Sequence, residues 1–214
     1  MKTDDLISML ASGGTAADVH ALRRRCAAAI GWGAFATALA MAIALGVRPD
    51  IEDAARLPMF WVKLAFPAVL AAFAAIALIR LSRPGVRLGW VSEALAAPVL
   101  AVWILAVAVL LDAAPGTRGA LVLGTSWAEC LASISVLAVP AFVALMWALK
   151  DYAAPTRSAL AGAAAGLAAG GIAAAVYALH CPEIAAPFIG TWYVTGMLIP
   201  TAAGALIGSR LLRW

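Results

Sequence analysis

The chain has 214 residues, 65% of them hydrophobic and 12% charged, with a formal net charge of +4. Soluble domains carry about 45–50% apolar and about 25% charged residues, so this composition argues against a water-soluble fold. The basic residues are spread over short polar stretches, which argues against the clustered basic face of a nucleic-acid binder. What the composition does suit is a bilayer protein, in which each spanning helix presents roughly 20 apolar residues to lipid.

Residues 1–25 form the longest polar stretch. Thr3-Asp4-Asp5 reads as a helix start, with a capping hydroxyl followed by acids at the positive end of the helix dipole. Leu6, Ile7, Met9 and Leu10 then give a short apolar side, broken by Ser12-Gly13-Gly14. Thr15 caps a second predicted helix that runs through Val19 and Leu22 into Arg23-Arg24-Arg25. A solvated tail accounts for the arginines as topology signals, but less well for the apolar cluster. So short a helix gains stability by folding into a groove on another protein or by lying on a membrane surface. Asp4, Asp5, Leu6, Ile7, Met9 and Leu10 are therefore the candidate partner-binding residues. The first apolar run begins near Cys26 and has no small-residue cleavage site after it, so no removable signal peptide is expected.

Six spans follow: Cys26–Gly46, Met59–Ile79, Val91–Leu111, Trp127–Leu149, Ala159–Leu179 and Pro187–Ile207. Each is long enough to cross a hydrocarbon core of about 30 Å, and each is bounded by charge, proline or glycine. The runs are continuous and rich in Ala and Leu, whereas a membrane barrel would show shorter alternating segments. The predicted architecture is an all-α, polytopic six-helix bundle over 26–214, preceded by a cytoplasmic helical arm over 1–25. One set of loops holds Lys2, Arg23, Arg24, Arg25, Arg80, Arg83, Arg87, Lys150, Arg157, Arg210 and Arg213; the other holds only Arg48, Arg56 and Arg118. That asymmetry predicts N-in, C-in topology, and Trp61, Trp90, Trp127, Trp192 and Trp214 fit interfacial anchors.

Gly162, Gly166 and Gly170 recur every four residues in the fifth span, as do Gly204 and Gly208 in the sixth, a spacing that lets helix backbones approach closely. Pro67, Pro98, Pro140 and Pro200 lie inside four spans and are expected to kink them, as ordinary bundle irregularity. Lys63 lies about one turn into the second span and is expected to snorkel to the interface; Glu93 is read the same way. No charged residue falls at mid-depth, which argues against an ion-coupled transporter. There is no phosphate-binding loop and no His-Glu-x-x-His, and Gly124-Thr125-Ser126-Trp127 lacks the glycines of a nucleophile elbow, so no enzyme is expected.

Cys130 and Cys181 fall at the same predicted outer face, while Cys26 lies at the opposite end and is read as structural. Three readings of the pair stand open: two small buried hydrophobes, a structural disulfide, or a redox- or metal-responsive pair. Glu129, His180 and Glu183 lie beside them, so Cys130, Cys181, His180 and Glu183 form a candidate set for a soft or borderline metal ion, although no close Cys-x-x-Cys spacing supports it.

Several short motifs stand in a definite order along the chain. They are Met1-Lys2-Thr3-Asp4-Asp5-Leu6-Ile7, Gly46-Val47-Arg48-Pro49-Asp50, Phe60-Trp61-Val62-Lys63-Leu64, Arg83-Pro84-Gly85, Ser126-Trp127 with Cys130-Leu131, His180-Cys181-Pro182-Glu183 and Leu211-Leu212-Arg213-Trp214. In this order the chain resembles, end to end, the negative-regulator-of-sigma-F family of bacterial membrane anti-sigma factors. The resemblance implies a six-span inner-membrane protein that holds an extracytoplasmic-function sigma factor away from RNA polymerase. It also implies release of that factor under oxidative or heavy-metal stress, through paired cysteines that correspond to Cys130 and Cys181. No cofactor is required by this reading; a heavy-metal ion or a disulfide at the pair is what the signal would supply. The implied partners are the sigma factor and the lipid bilayer, with no nucleic acid. A small membrane transporter or a membrane thiol oxidoreductase is the alternative.

Overall fold

The computed structural model describes residues 19–150 and 155–212. Among these residues the regular structure is helical, with no strand. In chain order the helices are α1 (Val19–Ala44), α2 (Ile51–Ala55), α3 (Pro58–Leu81), α4 (Val91–Asp112), α5 (Arg118–Leu123), α6 (Trp127–Lys150), α7 (Ser158–Tyr177) and α8 (Ala186–Leu211). Six segments are long and apolar enough to cross a membrane; they take in every helix but α2, with α5 and α6 together in the fourth, Arg118–Lys150. Each expected span overlaps one of these helices. The short helices α2 and α5 lie between the expected spans, α5 in an apolar run just ahead of the fourth. The candidate partner-binding residues Asp4, Asp5, Leu6, Ile7, Met9 and Leu10 lie outside the described residues.

Local chemistry sets the ends. α1 is continuous from Val19, so Arg23, Arg24 and Arg25 share a helix with the first span. It stops at Gly46, whose φ of 76° is open to glycine at little cost, and the N–H groups of Leu45 and Gly46 both bond back to Met41 O. α3 begins with Pro58 at its first turn, where the missing N–H costs nothing. Pro67, Pro98, Pro140 and Pro200 all lie within helices that continue past them.

The centre of the bundle is α7, which packs against α8, α3, α6 and α1. Its sequence, mostly Ala and Gly, explains that position: short side chains let four neighbours approach one axis. A methyl group on Gly162 or Gly166 would run into the backbone of α8 at Gly204 or Pro200, and one on Gly171 would sit 2.7 Å from Pro67 O of α3. α1 packs on α6 by the same means. A methyl on Gly33 would meet Ala141 Cα at 2.7 Å, and one turn on the buried Thr37 hydroxyl donates to Leu137 O at 3.1 Å.

The periphery is the reverse of a soluble protein. Trp32, Ile43, Leu111 and Trp147 are each more than 70% exposed. A belt of this kind is far larger than a water-soluble monomer tolerates. The bundle has two chemically distinct ends. One gathers the start of α1, the end of α3, the ends of α6 and α8 and the start of α7, and carries most of the arginines. The other gathers the end of α1, the start of α3 and α6, and the segment between α7 and α8, and carries Cys130 and Cys181.

Candidate functional site

The densest polar arrangement lies at the cysteine end, around residues 179–185, where α7 gives way to α8. His180 and Cys181 N–H both bond back to Tyr177 O and close the last turn of α7. Pro182 then prevents further helix. The freed segment is tied to three other parts of the chain. From the α1–α2 loop, Arg48 N–H donates to Leu179 O at 3.1 Å, and Gly46 O lies 2.9 Å from His180 Nδ1. Arg48 Nη1 reaches Cys181 O at 3.4 Å. From α3, Lys63 Nζ donates to Cys181 O and to Glu183 O, both at 2.7 Å. From the α5–α6 turn, the N–H and hydroxyl of Thr125 donate to Glu183 Oε1 at 2.8 and 2.9 Å. Gly124 makes the last tie sterically available: its φ is 57°, and a side chain there would collide with Phe188 and Glu183.

Lys63 does not snorkel to the interface as expected. Its side chain is 0% exposed and its ammonium lies 5.5 Å above the Tyr193 ring. The carbonyls of Cys181 and Glu183 give it a polar anchor inside the protein, which removes the reason to reach for water. Arg48 is fixed from its other side by Asp50, through bonds of 2.7 and 2.6 Å. That hydrogen-bonded pairing holds the Asp50 carboxyl below the usual carboxylate range and raises the Arg48 guanidinium further.

Cys130 begins the second turn of α6, its N–H bonded to Ser126 O at 2.9 Å. Cys130 and Cys181 are both free thiols, both 0% exposed, and they share one core cluster with Tyr177, Phe188 and Tyr193. Each lies within electrostatic range of Tyr193, and Cys130 within range of Cys181 and Lys63. Tyr193 Oη is buried, with the Cys181 side chain as its polar neighbour. It ends a π-helical turn, Ile189–Tyr193, inside α8. There Trp103 Nε1 of α4 donates to Gly190 O at 2.9 Å, and Trp192 Nε1 donates to Val122 O at 2.8 Å. Wide turns of this type often mark functional positions in helices. Nothing in the local sequence signalled this one.

The expected metal set does not come together. His180 is engaged with Gly46 O, and Glu183 with Thr125. Among the described residues no three His, Cys, Asp or Glu side chains are grouped to hold one ion. Glu129 lies exposed on the first turn of α6. Cys130 and Cys181 lie at one end of the bundle, where Lys63 and Arg48 converge on the Cys181 carbonyl, a convergence that the sequence does not show.

A buried thiol pair under a cationic clamp, in a bundle with a lipid-like exterior, is the arrangement against which relatives can be compared. The family model described as negative regulator of sigma F matches residues 10–214. The chain belongs to this family. Among sigma-F regulators, a protein of Azospira oryzae named "Probable anti-sigma-F factor NrsF" is 51% identical over 214 residues, with 100% of both chains covered. One of Caulobacter vibrioides named "Anti-sigma-F factor NrsF" is 40% identical over 218 residues, again with 100% of both chains covered. No solved structure matches the chain. The negative regulators of sigma F are regulators rather than enzymes, so no catalytic role is assigned to the 179–185 segment.

Proposed function

We propose that this chain is an inner-membrane anti-sigma factor. It sequesters an extracytoplasmic-function sigma factor at the cytoplasmic face and releases it when oxidant or thiophilic metal reaches Cys130 and Cys181. The observation that carries the anti-sigma role is full-length similarity, 51% over 100% of both chains, to a protein named as a probable anti-sigma-F factor. The arginine end faces the cytoplasm in this reading, as the distribution of basic residues favours. The arm over 1–25 is the sigma-binding segment.

The route between the two ends runs through α1. Its first residues continue from the arm, and its last turn leads to Gly46 and Arg48, which hold His180 and Cys181. Oxidation would join the two thiols as a disulfide, with two protons and two electrons passing to an oxidant such as peroxide, which becomes water. Both thiols are buried, so the 179–185 segment must open before they react. Opening loosens the hold on the end of α1, and a signal that binds the open state better shifts the bundle toward it.

The test is affinity purification of the full-length protein from detergent, with and without oxidant. A sigma factor should co-purify, be lost on deletion of residues 2–18, and be released by oxidant. That deletion leaves α1 intact. Cys130→Ser/Cys181→Ser should retain the sigma factor under oxidant. Absence of any sigma factor would sink the anti-sigma reading, and release from the serine variant would sink the cysteine mechanism alone. Reporter fusions at the N-terminus and near position 181 should be active in the cytosol and beyond the membrane, respectively; the opposite result would remove the orientation.

A further inference from the structure

At the arginine end, α1 and α3 touch each other little. Between them lies a cavity of about 450 Å³ lined by Arg23 of α1, Ile76, Ile79 and Arg80 of α3, and Arg83 and Val86 of the turn that follows. Three arginines and three branched aliphatic side chains line it, with the apolar surface the larger share. Arg80 is fixed in place: its Nη1 donates to Leu88 O at 2.8 Å and its guanidinium lies 5.4 Å above the Trp90 ring. Arg83 Nε is buried and has no hydrogen-bond partner, a state that a native structure normally resolves with a ligand or water. Among the described residues no carboxylate is paired with Arg23, Arg80 or Arg83; the ion pair described is Arg48–Asp50, at the other end of the bundle. Three guanidiniums around one cavity repel one another until an anion sits among them.

The walls decide the kind of anion. A small soluble anion would use the arginines and leave the aliphatic side unexplained. Ile76 and Val86 are 37% and 41% exposed on the outer surface of the bundle, where an acyl chain would lie. We infer that this cavity binds an anionic phospholipid. Arg80 and Arg83 would hold its phosphate oxygens, Arg23 would close over it from α1, and an acyl chain would lie along Ile76 and Ile79. Guanidinium forks suit phosphate oxygens, and basic pockets between spanning helices are suited to anionic head groups. The bound lipid bridges α1 to α3 where the protein itself leaves a gap. This inference rests on the bundle residing in a bilayer and not on which partner the arm holds.

The experiment uses full-length protein in mild non-ionic detergent, with native mass spectrometry and thermal midpoints as readouts. The probes are phosphatidylglycerol, phosphatidylcholine and inorganic phosphate. Phosphatidylglycerol should be retained, should raise the midpoint, and should bind at least about tenfold more tightly than phosphatidylcholine. Arg80→Gln/Arg83→Gln should weaken it about thirtyfold, the loss of two basic contacts. Equal binding of phosphatidylcholine would overturn the head-group assignment, and an equal midpoint shift with inorganic phosphate would overturn the lipid. Unchanged affinity in the double variant would overturn the location. If that variant fails to fold, Arg23→Gln, which removes an exposed side chain, should weaken phosphatidylglycerol about fivefold. Arg56→Gln, at the other end, should leave it unchanged, and equal losses in the two would count against the site. Tighter binding of an acidic peptide than of the lipid would assign the cavity to a protein and overturn the inference.

Discussion

Replacing Lys63 by methionine tests whether the buried ammonium keeps the Cys181 segment closed. The substitution keeps an unbranched chain of similar length and removes the charge. Lys63 Nζ donates to two carbonyls at 2.7 Å, and hydrogen bonds to a charged group contribute about 1.5–3 kcal/mol each. Against that loss stands the relief from burying an ammonium with no carboxylate beside it, itself several kcal/mol. The surviving loss is about 2 kcal/mol, the penalty for one buried carbonyl left bare. Because the bonds tie a single segment, the loss should appear as easier local opening and not as global unfolding. About 2 kcal/mol corresponds to roughly thirtyfold in an opening equilibrium. Cys181 is its own reporter, since it is 0% exposed in the closed state. In detergent, N-ethylmaleimide should label Cys181 of Lys63→Met about thirtyfold faster than in the unsubstituted protein, with peptide mass spectrometry assigning the site. Cys26, buried at the far end, should label at an unchanged rate. A Cys181 rate within twofold of the unsubstituted protein would refute the clamp. An equal acceleration at Cys26 would refute its locality.

Three further outcomes follow from particular contacts. Gly162→Ala places a methyl against the Gly204 carbonyl and should cost about 1–3 kcal/mol of overpacking, while Gly31→Ala has open space and should be neutral or stabilising by up to about 1 kcal/mol; chemical denaturation in detergent compares them. Asp50 titrates below the ordinary carboxylate value of about 3.9, so its contribution is present above that pH and lost as pH falls through the depressed value. Asp50→Asn should therefore lower the thermal midpoint at pH 7, and the difference from the unsubstituted protein should vanish as the pH is taken down through that depressed value; a constant difference would refute the pairing. Glu183→Ala removes the acceptor for both Thr125 donors and should raise Cys181 labelling as Lys63→Met does, and labelling at the original rate would show that the Thr125 tie does not restrain the segment.

Much of the fold was legible because lipid imposes a coarse and continuous code. A run such as that of α4, with one acid in its first turn and another at its last residue, has almost no alternative to a spanning helix. The glycine spacing in α7 and α8 was equally readable, since only small side chains permit the backbone contact between Gly162 and Gly204. The π-helical turn at Ile189–Tyr193 had no such signature. It is tied to distant elements, by the Trp103 indole donating to Gly190 O and by its own Trp192 indole donating to Val122 O, and a local pattern carries no information about distant partners.

Lys63 shows the same boundary between what hydropathy encodes and what tertiary contacts decide. Depth alone allows two fates for a lysine one turn inside a span: it can reach outward to water, or it can find acceptors inward. The choice depends on whether carbonyls are free within reach, and those of Cys181 and Glu183 are free because Pro182 stops the chain from continuing as helix after α7. The motif His180-Cys181-Pro182-Glu183 thus does two things at once. It breaks the helix, which exposes carbonyls to Lys63 and Arg48, and it carries the thiol that those cations hold closed. Pro182→Ala would extend the helical hydrogen bonding and withdraw the acceptors. It should therefore accelerate Cys181 labelling even though it alters neither the lysine nor the cysteine side chain, and a labelling rate equal to that of the unsubstituted protein would separate the helix break from the clamp.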